Sequence, residues 1–145
     1  MNWKDEAKKE LRTYTALKES IRNVQDRIDW IESQKTSIRS ASCGTAPVQG
    51  GGNKYEDRLL DMIVTQERLR LTLEADRVRL GLIERGLAVM SEQERKVLLT
   101  FAAHRSGEAV EILTGEIFVE RAQIYRLWDQ ALYRFTIAEY GITEF

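Results

Sequence analysis

The sequence predicts an all-α protein: a long antiparallel helical (coiled-coil) hairpin over residues 1–90, followed by a C-terminal three-helix helix-turn-helix unit over residues 91–145. Three observations predict it. Two long stretches carry apolar residues at alternating spacings of three and four, the signature of a helical seam. The clear break between them, ASCGTAPVQGGGN at residues 41–53, holds Pro47 and three consecutive glycines, which cannot sustain helix or strand. Beyond residue 90 the pattern shortens into three segments, each with one apolar stripe.

Composition narrows the class. At 145 residues the chain fits one domain, or one small domain plus an extension. Charged residues make up 31%, and a single proline leaves long helices uninterrupted. The net charge of −1 gives no global field toward nucleic acid or anionic lipid. Cys43 stands alone, so neither an internal disulfide nor a cysteine-rich metal site is expected, and a reducing cytoplasm is the natural compartment. The N-terminal MNWKDEAKKELR lacks the apolar core of a signal peptide, and no apolar run is long enough to span a membrane.

The first long helix is expected from about Asp5 to Ser40. Ala7, Tyr14, Ile21 and Ile28 fall at one heptad position and Leu17, Val24, Ile31 and Ile38 at the other, with Glu10 and Lys35 interrupting the seam. Nine basic and seven acidic residues over 1–40 suit a solvated outer face, and Trp30 beside the seam would broaden the contact. Residues 41–53 read as a flexible loop that lets the chain reverse. Its glycines are not a phosphate cradle, because no Gly-Lys-Ser/Thr follows and no strand precedes.

The second long helix is expected from about Lys54 to Val89. Tyr55, Met62, Leu69, Ile83 and Met90 share one seam position, Leu59, Leu73, Leu80 and Leu87 the other, and Gln66 and Asp76 are polar breaks. Val64, Leu71, Val78 and Leu82 add apolar surface outside this seam, a surplus that predicts a homo-oligomer through the long helices. Gly81 and Gly86 sit inside the helical pattern at about 1 kcal/mol each, which points to close helix approach or, near Gly86, a hinge.

Ser91 followed by Glu94 is a capping box and opens a helix over Glu92 to His104, with Val97, Leu98, Phe101 and Ala102 on one face. Ser106-Gly107 opens the next. The stretch from Gly107 to Phe135 then reads as a short helix, a tight turn and a longer helix. Val110, Leu113 and Ile117 form the first stripe; Ile124, Leu127, Ala131 and Phe135 form the second. Three helices in this arrangement make a helix-turn-helix, whose second helix can enter a DNA major groove.

VERAQIYRLWDQALYRF resembles the recognition helix of sigma factor region 4, the matching positions being Val119, Arg121, Ile124, Ala131, Leu132 and Phe135. With a long helical part ahead of it, the chain is similar to the ArpU-like transcription regulators of phages and prophages. Three positions depart from the family pattern. Thr114 stands where a small Ala is usual, Phe118 where the turn usually has Gly, and Glu120 where Ser is usual. Phe118 at a position wanting positive φ costs energy, so a looser or longer turn is expected.

The resemblance implies a DNA-binding face on the last helix. Arg121, Gln123 and Arg126 would face outward near its N-terminal end; Arg can pair with guanine and Gln with adenine. Tyr125 and Arg134 would reach phosphates, with Arg105 or Lys96 bracing from the preceding helix. Glu120 completes the candidate set, although its charge opposes phosphate. The same residue types also make an ordinary solvated helix face. Residues 91–145 hold six basic against nine acidic side chains, a balance of −3, so one copy should bind duplex weakly and dimerisation would recover affinity. The alternative is a coiled-coil structural or adaptor protein whose C-terminal unit docks a protein such as RNA polymerase, with Trp128 and Tyr133 in the core or at the interface. No enzyme is expected. His104 is the single histidine, and no nucleophile motif, nucleotide fingerprint or H-E-x-x-H pattern occurs, so neither cofactor nor metal is implied.

Overall fold

The computed structural model describes residues 1–43 and 52–141. The centre of the expected loop, with Pro47, lies outside them. Among the described residues there are five helices: α1 (Trp3–Cys43), α2 (Gly52–Ala88), α3 (Glu92–Ala103), α4 (Ser106–Ile117) and α5 (Arg121–Tyr140). Among the described residues there is no strand, and the protein is all-α. The span expected as loop is trimmed at both edges. Ala41 to Cys43 continue α1 and Gly52 begins α2, because nothing at those positions stops a helix outright.

The chain divides into two compact units: Met1–Leu17 with Arg79–Phe145 (unit 1), and Lys18–Val78 (unit 2). The expected boundary after residue 90 therefore falls inside unit 1.

In unit 2, segments of α1 and α2 bury most of the expected heptad positions, but Tyr55, in the first turn of α2, is 49% exposed. Ile28, Ile31, Ile38 and Leu73 are buried, while Ile21, Val24, Met62 and Leu69 are half-buried. The polar breaks meet one another. Lys35 Nζ donates to Gln66 Oε1 at 2.9 Å, and Gln66 Nε2 donates to the Ile28 carbonyl at 3.2 Å and to Glu32 at 2.8 Å. Ser20 donates to Asp76 at 3.3 Å. Gln66 is only 1% exposed, so every one of these bonds offsets a desolvation cost. Gln66 and Lys35 also hold the Glu32 carboxyl below the usual range, the Gln66 hydrogen bond being the larger cause. Trp30 does not broaden the seam. It is 60% exposed, since the residue just before a seam position turns outward.

In unit 1, α3 begins as the capping box requires: Ser91 Oγ accepts from the Glu94 N–H at 3.1 Å, and Glu94 accepts from the Ser91 N–H at 3.2 Å. Val97, Phe101, Ala109, Val110, Leu113 and Ile124 close a core, with Ile117, Val119, Leu127 and Trp128 packed on its rim. Each of the valine, leucine, isoleucine and phenylalanine side chains contributes on the order of 2 kcal/mol by leaving water. Phe135, fully buried, explains Gly86: a Cβ there would lie 2.8 Å from the phenyl ring, so α2 can approach only as glycine. Gly81 has no such neighbour.

α5 continues beyond the expected Phe135 and ends at Gly141, which takes the left-handed conformation (φ 69°) that closes helices. Thr136 satisfies its buried hydroxyl by donating to the Leu132 carbonyl at 2.6 Å, and the Tyr140 ring lies 5.0 Å from Trp3 of α1. That contact with residues far away in sequence stabilises the extra turn.

Candidate nucleic-acid interface

α4 and α5 are joined by Phe118, Val119 and Glu120 alone. Phe118 supplies the reversal. It adopts φ 63°, ψ 40°, and its N–H donates to the Thr114 carbonyl at 3.1 Å. The bulky side chain neither lengthens the connection nor escapes positive φ; a non-glycine residue there costs about 1–2 kcal/mol. Burial does not offset this cost, because Phe118 is 87% exposed. The flanking residues hold the turn instead, with Ile117 and Val119 packed against the core.

α5 buries Ile124, Ala131, Leu132 and Phe135 and half-buries Leu127. The opposite side of its first turns is therefore turned to solvent. Glu120 is the N-cap residue, exposed and without a side-chain capping bond. Arg121, Gln123 and Arg126 are exposed, and among the described residues neither arginine forms an ion pair. Tyr125 is 41% exposed with its ring 6.1 Å from Phe101, so its hydroxyl can reach outward from an anchored ring. These five candidates cluster at one end of the helix.

Arg134 stands apart. Its guanidinium pairs with Glu94, the carboxylate that also caps α3. Lys96 is likewise engaged, pairing with Glu116 at 2.9 Å. Arg105 is the N-cap of α4 and is exposed.

The acidic balance of residues 91–145 overstates the negative field near Arg126. Glu94, Glu116 and Asp129 all have cationic partners. Asp129 is matched by Lys4 of α1 at 3.2 Å, and that lysine is invisible to any count over the C-terminal residues. Glu120 is the acid that stands beside the candidate face without an ion pair among the described residues. Gln130, exposed one turn beyond Arg126, belongs to the same face and was readable from its spacing of four.

Trp128 belongs to the core side. It stacks on Phe101 with centroids 4.2 Å apart, and Lys8 Nζ lies 5.2 Å above its ring. Tyr133 is 40% exposed. His104 lies 3.8 Å from Glu108 one turn along, the arrangement of a helix-end pair. Among the described residues no cluster of three or more His, Cys, Asp or Glu side chains could hold a metal ion, and no helix is long and apolar enough to cross a membrane.

A second group of ionisable residues lies where α5 ends against α1. Glu139 Oε2 is buried with no hydrogen-bond partner among the described residues. Desolvation first, and the Glu10 charge second, push its carboxyl up to about 7. Glu10 is itself paired with Arg79 at 3.2 Å. Burial pushes the neighbouring Tyr140 hydroxyl upward as well. No protein-family model, curated protein or solved structure matches the chain.

Proposed function

We propose that this chain is a transcription regulator of the phage or prophage type, with α1 and α2 forming an antiparallel coiled-coil hairpin and α3–α5 a sigma region 4-like helix-turn-helix. α5 reads promoter DNA in the major groove through Arg121, Gln123 and Arg126, with Tyr125 reaching phosphate. Glu120 discriminates against close phosphate approach at the helix start, and Arg134 serves the fold through Glu94. One observation supports this reading most: three exposed side chains able to pair with base edges project from the first turns of α5, behind a three-residue left-handed turn. The protein acts in the cytoplasm, and copies associate through the long helices, so that two reading helices engage together and offset the weak attraction of one.

The test is a gel shift against a pool of random-sequence duplexes. Arg121→Ala with Arg126→Ala should lower affinity at least about tenfold, since each arginine contact with a base is worth about 1–3 kcal/mol. Helicity and assembly should not change. Equal affinity of the two proteins overturns the reading. Phe118 favours a second one: an 87% exposed phenyl group in a strained conformation, beside Glu120, suits docking onto a protein such as RNA polymerase. In that case Phe118→Gly, and not the arginine pair, would abolish function.

A further inference from the structure

The seam of α2 accounts for one side of that helix. Its opposite side is apolar too. Leu60, Val64, Leu71, Val78 and Leu82 are 58%, 44%, 65%, 55% and 42% exposed. At 100° per residue they fall within about 40° of one line along the helix. A face of five large exposed hydrophobic residues is more than scattered surface apolarity.

The order of these residues carries information beyond their exposure. Read from residue 60 to residue 82, the types are Leu, Val, Leu, Val, Leu, and the intervals are four, seven, seven and four. Reversing the direction about Leu71 leaves both types and intervals unchanged. A self-complementary stripe of this kind is what a two-fold axis through an antiparallel helix pair requires, since each residue must meet its mirror position. Leu60 then meets Leu82 of the second copy, Val64 meets Val78, and Leu71 meets itself.

In-register parallel pairing would also bring like residues together, so the flanking charges decide. Glu56, Asp57 and Asp61 border the stripe at its N-terminal end, Glu67, Arg68 and Glu74 along its middle, and Arg79 and Arg85 at its C-terminal end. Parallel helices would place acids beside acids and arginines beside arginines. Antiparallel helices place Glu56 near Arg85 of the second copy and Asp61 near Arg79, which also pairs with Glu10 of its own chain. These two attractions outnumber the one repulsive approach, Glu67 to Glu74, each being made twice.

We infer that α2 is the dimerisation helix, pairing antiparallel with α2 of a second copy about a two-fold axis at Leu71. The inference rests on the self-association in the proposed function and gives it a geometry. The contact is about 33 Å long and about 12 Å wide, hence on the order of 800 Å² in total. That is below the size of stable obligate interfaces, so the dimer is weak and concentration-dependent.

Single cysteines test it in the full chain with Cys43→Ser as background. Under mild oxidation, Val64→Cys mixed with Val78→Cys should cross-link, and Leu71→Cys should cross-link to itself. Val64→Cys alone should not, because its two copies would stand about 21 Å apart. Self-cross-linking of Val64→Cys indicates parallel pairing and overturns the geometry while self-association stands. A dimer in sedimentation that cross-links at none of these positions overturns the choice of face. A chain that stays monomeric at every concentration contradicts self-association and this geometry together, and leaves the gel-shift test of DNA binding unaffected. In addition, Glu56→Arg and Arg85→Glu should each raise the dimer dissociation constant about fivefold, since the pair occurs twice, and the double exchange should restore it.

Discussion

In unit 2 the contact between α1 and α2 buries a polar layer, Lys35 and Gln66 with Glu32 at its edge, among isoleucines and leucines. The core of unit 1 closes on Val97, Phe101, Val110, Leu113 and Ile124 with no polar side chain among them. The difference follows from what each must specify. A heptad seam of similar residues fits nearly as well when one helix slips by seven, so a single layer with a fixed hydrogen-bond pattern selects the register. Short helices of unequal shape meeting at one point have few alternative packings, and apolar volume alone selects among them.

The comparison is broken most forcefully at Phe135. Replacement by alanine empties the space against Gly86 and should cost about 3–5 kcal/mol in urea unfolding. A loss under about 1 kcal/mol would mean that apolar packing does not carry unit 1. In unit 2, Gln66→Leu leaves the buried Lys35 ammonium with Glu32 as its remaining partner at 3.2 Å and should cost about 1–3 kcal/mol by the same measurement. Adding Lys35→Met should return most of it, as an apolar layer replaces the polar one. A double variant no more stable than the single would show that the polar layer supplies stability and not register.

Two glycines on one helix sharpen the picture. Gly86→Ala should destabilise by about 1–2 kcal/mol, because overpacking against a buried ring outweighs the gain in helix propensity, whereas Gly81→Ala should stabilise by about 0.5–1 kcal/mol. Equal effects in thermal melts would remove close approach as the explanation of Gly86.

An effect of similar size is pH-dependent. Glu139 in the folded protein keeps its proton up to about 7, whereas unfolded it loses it near 4.5. The folded state thus binds more protons between those values, so its stability falls as pH rises through that window. Because the side chain is partly exposed, the loss should be about 1 kcal/mol. Glu139→Gln should abolish this slope and stabilise the protein above pH 7. A slope unchanged by the substitution would place the titration elsewhere.

Heptad spacing named most seam residues of both long helices, though it took in the exposed Tyr55 and missed the buried Leu11, and the capping box at Ser91 located the first residue of α3. Local patterns of this kind are written in neighbouring positions. What spacing could not supply were partners distant in sequence: that Lys35 would answer Gln66, that Lys4 would cover Asp129, and that Trp3 would hold the last turn of α5. Phe118 shows the limit in the other direction. Propensity argued for a looser turn, but the packed flanks Ile117 and Val119 impose positive φ on it. Of the candidate face, exposure of Arg126 was readable from the stripe opposite it, and that of Arg121 and Gln123 from their place in the first turn of α5. The engagement of Arg134 by Glu94 was not, since they lie on different helices.

The claim that α5 is a DNA-reading helix is tested most directly by equilibrium binding to duplex across a salt series. The wild-type chain should show log affinity falling linearly with log salt, and Arg121→Ala with Arg126→Ala should bind more weakly, with a slope shallower by up to about 2 where the arginines also neutralise phosphates. Superimposable titrations of the two proteins, or an affinity indifferent to salt, would contradict it.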